Sequence, residues 1–218
     1  MGFEARDQMA AQHGGLHPNQ VAQDFVDKVG GKLVANTNSI LEPGAKAIPY
    51  RFEFHVLRDE EAVNAFAPPG GQVFITAALL KKFQSEDQLA GVLGHEVGHV
   101  LAKHSNQQMA KAGLFTGVRQ AVAILVGGEG GMGGHTAGSM VNKVLSSKFG
   151  RDDETESDAI GAELMKQAGY DARQLIEVMK ILQESSSGRS GPEFLTTHPL
   201  PKSRIDHLKN VILPGLGY

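Results

Sequence analysis

Two histidines four residues apart, His95 and His99, stand in a stretch that must be both helical and buried, and they constrain the fold more than any other feature of the chain. Ser85 with Gln88 makes a capping box, and Leu89, Val92, Leu93, Val97, Val100 and Leu101 form an apolar stripe, so a helix is expected from Ser85 to beyond His104. Gly91, Gly94 and Gly98 each cost about 1 kcal/mol against Ala inside a helix, which points to close backbone approach along that face. Residues four apart lie about 40° apart around the axis, so His95 and His99 share a side. Both rings can then reach one divalent ion, while Glu96, one step round, directs its carboxylate toward a water on the ion's open side. The plainer alternative is an amphipathic helix whose core histidines are satisfied by other partners.

Composition narrows the chemistry. The chain has no cysteine, so disulfides and thiolate sites are excluded and any metal must be held by His and carboxylate. A net charge of -3 gives no basic footprint, so nucleic acid is not an expected partner. The 218 residues suit one domain over 1–218 with a real core. Residues 1–17 are polar and contain no signal-peptide core, and the longest apolar run, Ala121 to Val126, is too short to span a bilayer.

Organisation follows from periodicity. An N-terminal helical segment is expected within residues 1–45, with Pro18 to Val34 amphipathic through Val21, Phe25, Val29 and Leu33. After the breaker segment Pro43 to Pro49, Tyr50, Phe52, Phe54 and Val56 alternate with Arg51, Glu53 and His55 as in a strand. Asn64 to Ala67 and Gln72 to Thr76 read as two short strands joined by Pro68-Pro69-Gly70-Gly71. Helices are expected at Ala77 to Phe83, Leu114 to Val126, Ser139 to Phe149, Asp152 to Gln167, Asp171 to Gln183 with Asp171 as N-cap, and Pro201 to Val211; Ser185 to Pro192 reads as a loop. The glycine-rich stretch at 127–138 reads as a lid or linker, since it lacks the Lys and Ser/Thr of a phosphate loop. The fold class is α+β, mainly helical, with a small sheet beside the histidine helix.

A catalytic zinc site typically needs a third protein ligand. His104, Glu129, His135, Glu154, Glu156, Glu163 and His198 follow the helix as candidates. Glu154 and Asp158 repeat the four-residue spacing with carboxylates, so Glu154 can ligate while Asp158 accepts a hydrogen bond from the free nitrogen of a ligating histidine. Glu156 lies roughly opposite them, and acids also gather at helix N-termini simply for the dipole.

His95-Glu96-Val97-Gly98-His99 followed by Glu154-x-x-x-Asp158 resembles the signature of the gluzincin peptidase family that includes the HtpX, BepA and LoiP proteases and the CAAX prenyl proteases. Asn64-Ala65-Phe66-Ala67 with Pro69-Gly70-Gly71, Val100 to His104, Arg151 through Asp158, and Thr197-His198-Pro199 with Arg204 resemble its other segments. The resemblance implies a zincin-like metallopeptidase domain holding one zinc through His95, His99 and Glu154, with Glu96 as catalytic base. It implies a periplasmic or envelope-associated enzyme acting on polypeptide substrates, with association with membrane proteins open to it. By the same resemblance His198 joins the active site, either donating a hydrogen bond to the tetrahedral intermediate or occupying the fourth zinc position and holding the enzyme inactive. Arg204 supports the motif or assists the oxyanion, unless it is a solvated helix face. His104 is expected to pack or to support a ligand rather than to be one.

The reaction these residues suit is hydrolysis of a peptide bond in unfolded or misfolded protein, the substrate adding as an extended strand near Gln72 to Thr76. The rival is a zinc-stabilised binding or chaperone-like module whose site is plugged by His198. A third reading, a metal-independent helical partner-binding domain, predicts no stoichiometric metal.

Overall fold

The computed structural model describes residues 3–35, 37, 51–112, 147–187, 191–200 and 202–218. The expected helix Leu114 to Val126, the stretch 127–138 with Glu129 and His135, the breaker at Pro43 to Pro49 and most of Ser139 to Phe149 lie outside these residues; 147–149, which are described, are not helical.

Helix α1 spans Phe3–Gln12, and α2 spans Gln20–Val34. Asn19 starts α2 by accepting the backbone N–H groups of Val21 and Ala22 on its side-chain oxygen. The face that α2 buries is Val26, Val29, Gly30 and Leu33. Val21 is 77% exposed, which corrects its place in the expected stripe. Each four-residue step drifts about 40°, so three steps back from Leu33 carry Val21 about 120° off the buried line.

Strands β1 (Glu53–Leu57), β2 (Ala65–Phe66) and β3 (Gln72–Thr76) form one sheet in the order β1-β3-β2. β1 runs parallel to β3, with Phe54 opposite Val73 and Val56 opposite Ile75, while β2 pairs antiparallel through Phe66 and Phe74. Gly70 and Gly71 have φ of 114° and 91°, which the reversal from β2 into β3 requires and which side chains disfavour. The sheet is covered on both faces, so β1 lacks the exposed face its alternation suggests. Phe54, Val56, Val73 and Ile75 enter the main core; Leu57, Phe66 and Phe74 meet Met9 and Ala10 of α1 on the other side. β3 is the central strand, with β2 covering Phe74 and Ile75, so a strand added to the sheet near Gln72 to Thr76 would meet β2 rather than β3 there. The outer edge of β1 meets residues 15–17 through the Leu16–Leu57 bridge, leaving β2 as the sheet edge without a strand partner among the described residues.

Thr76 caps α3 (Ala77–Leu80), shorter than the expected helix to Phe83. Ser85 then starts α4 (Glu86–Leu101), its hydroxyl accepting the N–H of Gln88, while the Gln88 side chain reaches back to the N–H of Gln84. α4 is buried without interruption from Gln88 to Val100, which makes it the axis of the molecule. It does not run past His104 as expected. The chain turns at Lys103, with φ of 60°, before residues 104–112 become helical again.

Helix α5 (Arg151–Gln167) lies across α4, its first turn tied by the Gly150 N–H to Asp153. A Cβ at Gly94 would lie 3.2 Å from the carbonyl oxygen of Gly161, and one at Gly161 only 2.9 Å from the His95 nitrogen. The two backbones therefore touch, as the costly glycines of α4 lead one to expect, although Gly91 meets only ordinary side-chain contacts from Leu175 and Val178. α6 (Gln174–Glu184) begins later than expected; Asp171 makes a turn before it, accepting the N–H of Arg173, and is not its N-cap. A short 3-10 turn, Ser185–Ser187, opens the expected loop. α7 (Phe194–Thr197) was not anticipated, and the closing helix is divided into α8 (Lys202–His207), a π-helical turn (Leu208–Ile212) and α9 (Leu213–Gly215). Lys166 donates to the Leu216 carbonyl at 2.8 Å, and the Tyr218 hydroxyl donates to the Tyr170 carbonyl at 3.3 Å while accepting the Ala172 N–H at 3.4 Å.

Candidate metal centre

α4 presents His95 and His99 on one side, their Nε2 atoms 3.1 Å apart. α5 brings Glu154 to them: its Oε1 lies 3.3 Å from His99 Nε2 and its Oε2 lies 3.6 Å from His95 Nε2. His198, just past α7, adds Nδ1 at 2.9 Å from Glu154 Oε1 and 3.3 Å from His95 Nε2. One ligand atom from each of these four buried residues falls within 4.8 Å of the others. Donors about 2.1 Å from a common tetrahedral centre are separated by roughly 3.4 Å, so this set fits a zinc-sized ion, and nitrogen with carboxylate oxygen is a donor chemistry zinc accepts.

The supporting contacts are as specific as the donors. Asp158, one turn along α5, sits 2.9 Å from His95 Nδ1 and accepts two hydrogen bonds from Arg204, at 2.9 and 2.8 Å. Arg204 also donates to Glu154 and to the Pro199 carbonyl. The Ser157 hydroxyl donates to the His95 carbonyl, which fills the space left by Gly98. Aromatic rings close the sides: Phe149 stacks on His99 with centroids 4.1 Å apart, and Phe194 stacks on His198 at 4.3 Å. α7 is anchored to the start of β2, where the Phe194 N–H donates to the Val63 carbonyl and the Asn64 amide donates to Glu193.

Charge and burial set the ionisation. Burial opposes a charge on Glu154, but the His198 charge and the hydrogen bonds from His198 and His99 outweigh it, holding the carboxyl well below the ordinary range. Asp158 is likewise held low, against burial, by the Arg204 charge and the His95 hydrogen bond. Burial pushes His99 far down, with the neighbouring charges of His95 and His198 acting the same way. For His198, burial is outweighed by Glu154 and Glu96, and its pKa rises. Glu96 moves up because burial dominates over His198 and His95. Its Oε1 is buried without a hydrogen-bond partner among the described residues and lies 3.5 Å from His198 Nε2.

His95, Glu96, His99, Glu154, Asp158, His198 and Arg204 are thus brought together and buried. Of the other candidate third ligands among the described residues, His104 lies beside His99, Glu156 is exposed, and Glu163 accepts a hydrogen bond from Gln167 on the same helix. Phe149, Phe194 and Ser157 were missed, as aromatic and hydroxyl side chains carry no spacing signal.

Residues 30–212 match peptidase family M48. The chain belongs to that family. The M48 match includes all the residues of the cluster. A beta-barrel assembly-enhancing protease of Yersinia pestis is 30% identical over 196 residues, covering 85% of this chain and 38% of its own length. The mitochondrial metalloendopeptidase OMA1 of Schizosaccharomyces pombe is 37% identical over 160 residues, 71% of this chain and 45% of its own. Metalloprotease YcaL of Escherichia coli is 26% identical over 185 residues, 85% of this chain and 71% of its own. The M48 chain described here therefore spans less than half the length of the first two.

Proposed function

We propose that this chain is a zinc metalloendopeptidase of the gluzincin type, with His95, His99 and Glu154 holding one zinc and Glu96 acting as the base. The observation that carries the reading is the convergence of these donors with His198 inside 4.8 Å, beside a buried carboxylate that has an unpartnered oxygen. Zinc bound there supplies a Lewis acid for the scissile carbonyl and lowers the pKa of water toward about 7. Glu96, its proton affinity raised by burial, takes the proton from the attacking water and hands it to the leaving amine. Asp158 fixes the His95 ring, and Arg204 pairs with both buried carboxylates, offsetting part of their charge.

An extended polypeptide along the outer edge of β2 would be recognised through its backbone, which suits unfolded substrates of varied sequence. The names of the relatives, proteases and a metalloendopeptidase, support polypeptide substrates. A periplasmic or envelope setting near membrane proteins is part of the proposal, and of these names only that of the barrel assembly-enhancing protease is in line with it. Among the described residues, no helix is long and apolar enough to cross a membrane.

Metal analysis and casein cleavage test this directly. Glu96→Gln should keep stoichiometric zinc and lose about 10²–10⁴-fold in kcat/KM, whereas Glu154→Gln should lose zinc. Cleavage by Glu96→Gln at the parent rate would remove Glu96 as the base.

The placement of His198 favours a second reading, a plugged zinc-stabilised module, because its Nδ1 completes a four-donor set and closed four-ligand sites are usually structural. Peptidase assays on the parent and His198→Ala proteins, with and without chelator, separate the two. A latent parent and an active variant mean a plug; a chelator-sensitive parent that weakens on substitution means a hydrogen-bond donor. In both cases zinc content should stay near one per chain.

A further inference from the structure

His95 and His99 are supported in different ways. His95 Nδ1 faces the carboxylate of Asp158, whereas His99 Nδ1 lies 2.9 Å from Nδ1 of a second buried imidazole, His104. We infer that His104 is a positioning residue that orients the ring of His99 through an imidazole-to-imidazole hydrogen bond passed on to Glu156. The inference rests on reading His99 as a metal ligand.

The protons can be assigned in only one direction when a bound ion would take the lone pair of His99 Nε2 in place of the hydrogen bond from that atom to Glu154. The His99 proton is then on Nδ1, which donates to His104 Nδ1; the His104 proton is on Nε2, which points at Glu156 Oε2 at 3.2 Å, with Asp153 Oδ1 behind at 3.8 Å. The chain of donors thus starts at the buried cluster and ends on a carboxylate that is 60% exposed.

The backbone gives independent support. Had α4 continued as a regular helix, His104 would be rotated about 140° from His99, away from the cluster. Lys103 instead takes φ of 60°, a conformation that non-glycine residues seldom adopt. Its N–H closes α4 on the Val100 carbonyl at 3.1 Å, and its carbonyl accepts the Gln107 N–H at 3.0 Å, so one unfavourable residue joins two helical stretches and swings His104 back beneath His99. Strain of this kind persists where the surroundings impose it and clusters at functional sites.

Zinc competition against a fluorescent chelator, on the full chain, provides the test. His104→Leu keeps an apolar filler but removes the acceptor and should weaken zinc retention by about 10–100-fold, the usual effect of losing a ligand's hydrogen-bond partner. His104→Asn places an amide oxygen where Nδ1 stood, within reach of the same N–H, and should restore most of the loss, which a role in filling space alone would not allow. Lys103→Gly accepts the positive φ and should retain parental affinity, while β-branched Lys103→Val should fall toward the Leu variant. Parental zinc affinity in His104→Leu overturns the relay; if that variant does not fold, equal affinity in Lys103→Val and Lys103→Gly overturns it instead. A parent chain with no stoichiometric zinc, or a His99→Ala protein that binds as tightly as the parent, defeats the metal reading itself and the relay with it.

Discussion

Arg204 shows how much a single side chain can hold. At 6% exposure its guanidinium pairs with both Glu154 and Asp158, so the cation is what makes two adjacent buried carboxylates tolerable. Removing one partner of a buried ionic group leaves uncompensated charge and costs about 3–5 kcal/mol. Arg204→Met should lower the urea midpoint of the metal-free protein accordingly, with a thermal midpoint lower by roughly 10 °C. Arg204→Lys should recover only part, since an ammonium cannot form the fork onto Asp158. An unchanged midpoint in the Met variant would show that the carboxylates do not need the cation. From sequence Arg204 could equally be a solvated helix face, because its partners lie on a different helix. His95, Glu96 and His99, and separately Glu154 and Asp158, were legible for the opposite reason: each set lies within about one turn of a single helix, whereas the meeting of the two helices is not written in spacing. His104 was expected to pack or to support a ligand; the structure sets it beside His99, a partner hidden in the sequence because no glycine or asparagine marks the turn at Lys103.

At the level of elements, the crossing of α4 and α5 decides whether the two halves of the donor set meet. A Cβ on Gly98 would lie 2.7 Å from the Ser157 hydroxyl and 2.8 Å from its carbonyl, and one on Gly161 would press on the His95 nitrogen. Gly→Ala in a helix gains about 1 kcal/mol from propensity, yet overpacking costs typically 1–3 kcal/mol, so at these positions the clash should win. Gly98→Ala and Gly161→Ala are expected to lower stability and to release zinc more readily, because the shift separates Glu154 from both histidines. Gly31→Ala is the contrast: nothing lies within 4 Å of its Cβ position on α2, and it should stabilise by up to about 1 kcal/mol. Denaturant midpoints of the three variants check the signs. Glycine cost flagged this crossing in advance, but the partner was unreadable, as it is with the start of α6. There Asp171 has the chemistry of a cap and spends it on a turn three residues upstream.

Across the whole molecule, the order of the strands was the least legible feature. Pairing β1 with β3 rather than with its neighbour β2 depends on contacts distant in sequence, and it makes β3 the central strand. The far face of the sheet is closed by α1, where His13 sits 3.0 Å from Asp59 and Met9 packs against Phe74 and Phe66. Burial works against an Asp59 charge, but the Ala62 N–H, the His13 side chain and the Glu61 N–H outweigh it and depress its pKa. A carboxyl depressed on folding binds fewer protons folded than unfolded. Its contribution is complete above the unfolded value of about 3.9 and is lost as pH falls through the lower folded one. The urea midpoint of the parent should therefore exceed that of Asp59→Asn near pH 5, and the gap should shrink toward pH 3; a gap that widens on acidification would reverse the assignment.

The contacts of Tyr218 with Tyr170 and Ala172 govern how this protein reports on itself in solution. With no tryptophan in the chain, ultraviolet emission comes from three tyrosines, and two of them, Tyr170 and Tyr218, stand at the junction between α5 and α6. The share of an unfolding curve that these two tyrosines carry reads the loosening of this corner, and a metal-induced change near His95 can leave their emission unmoved.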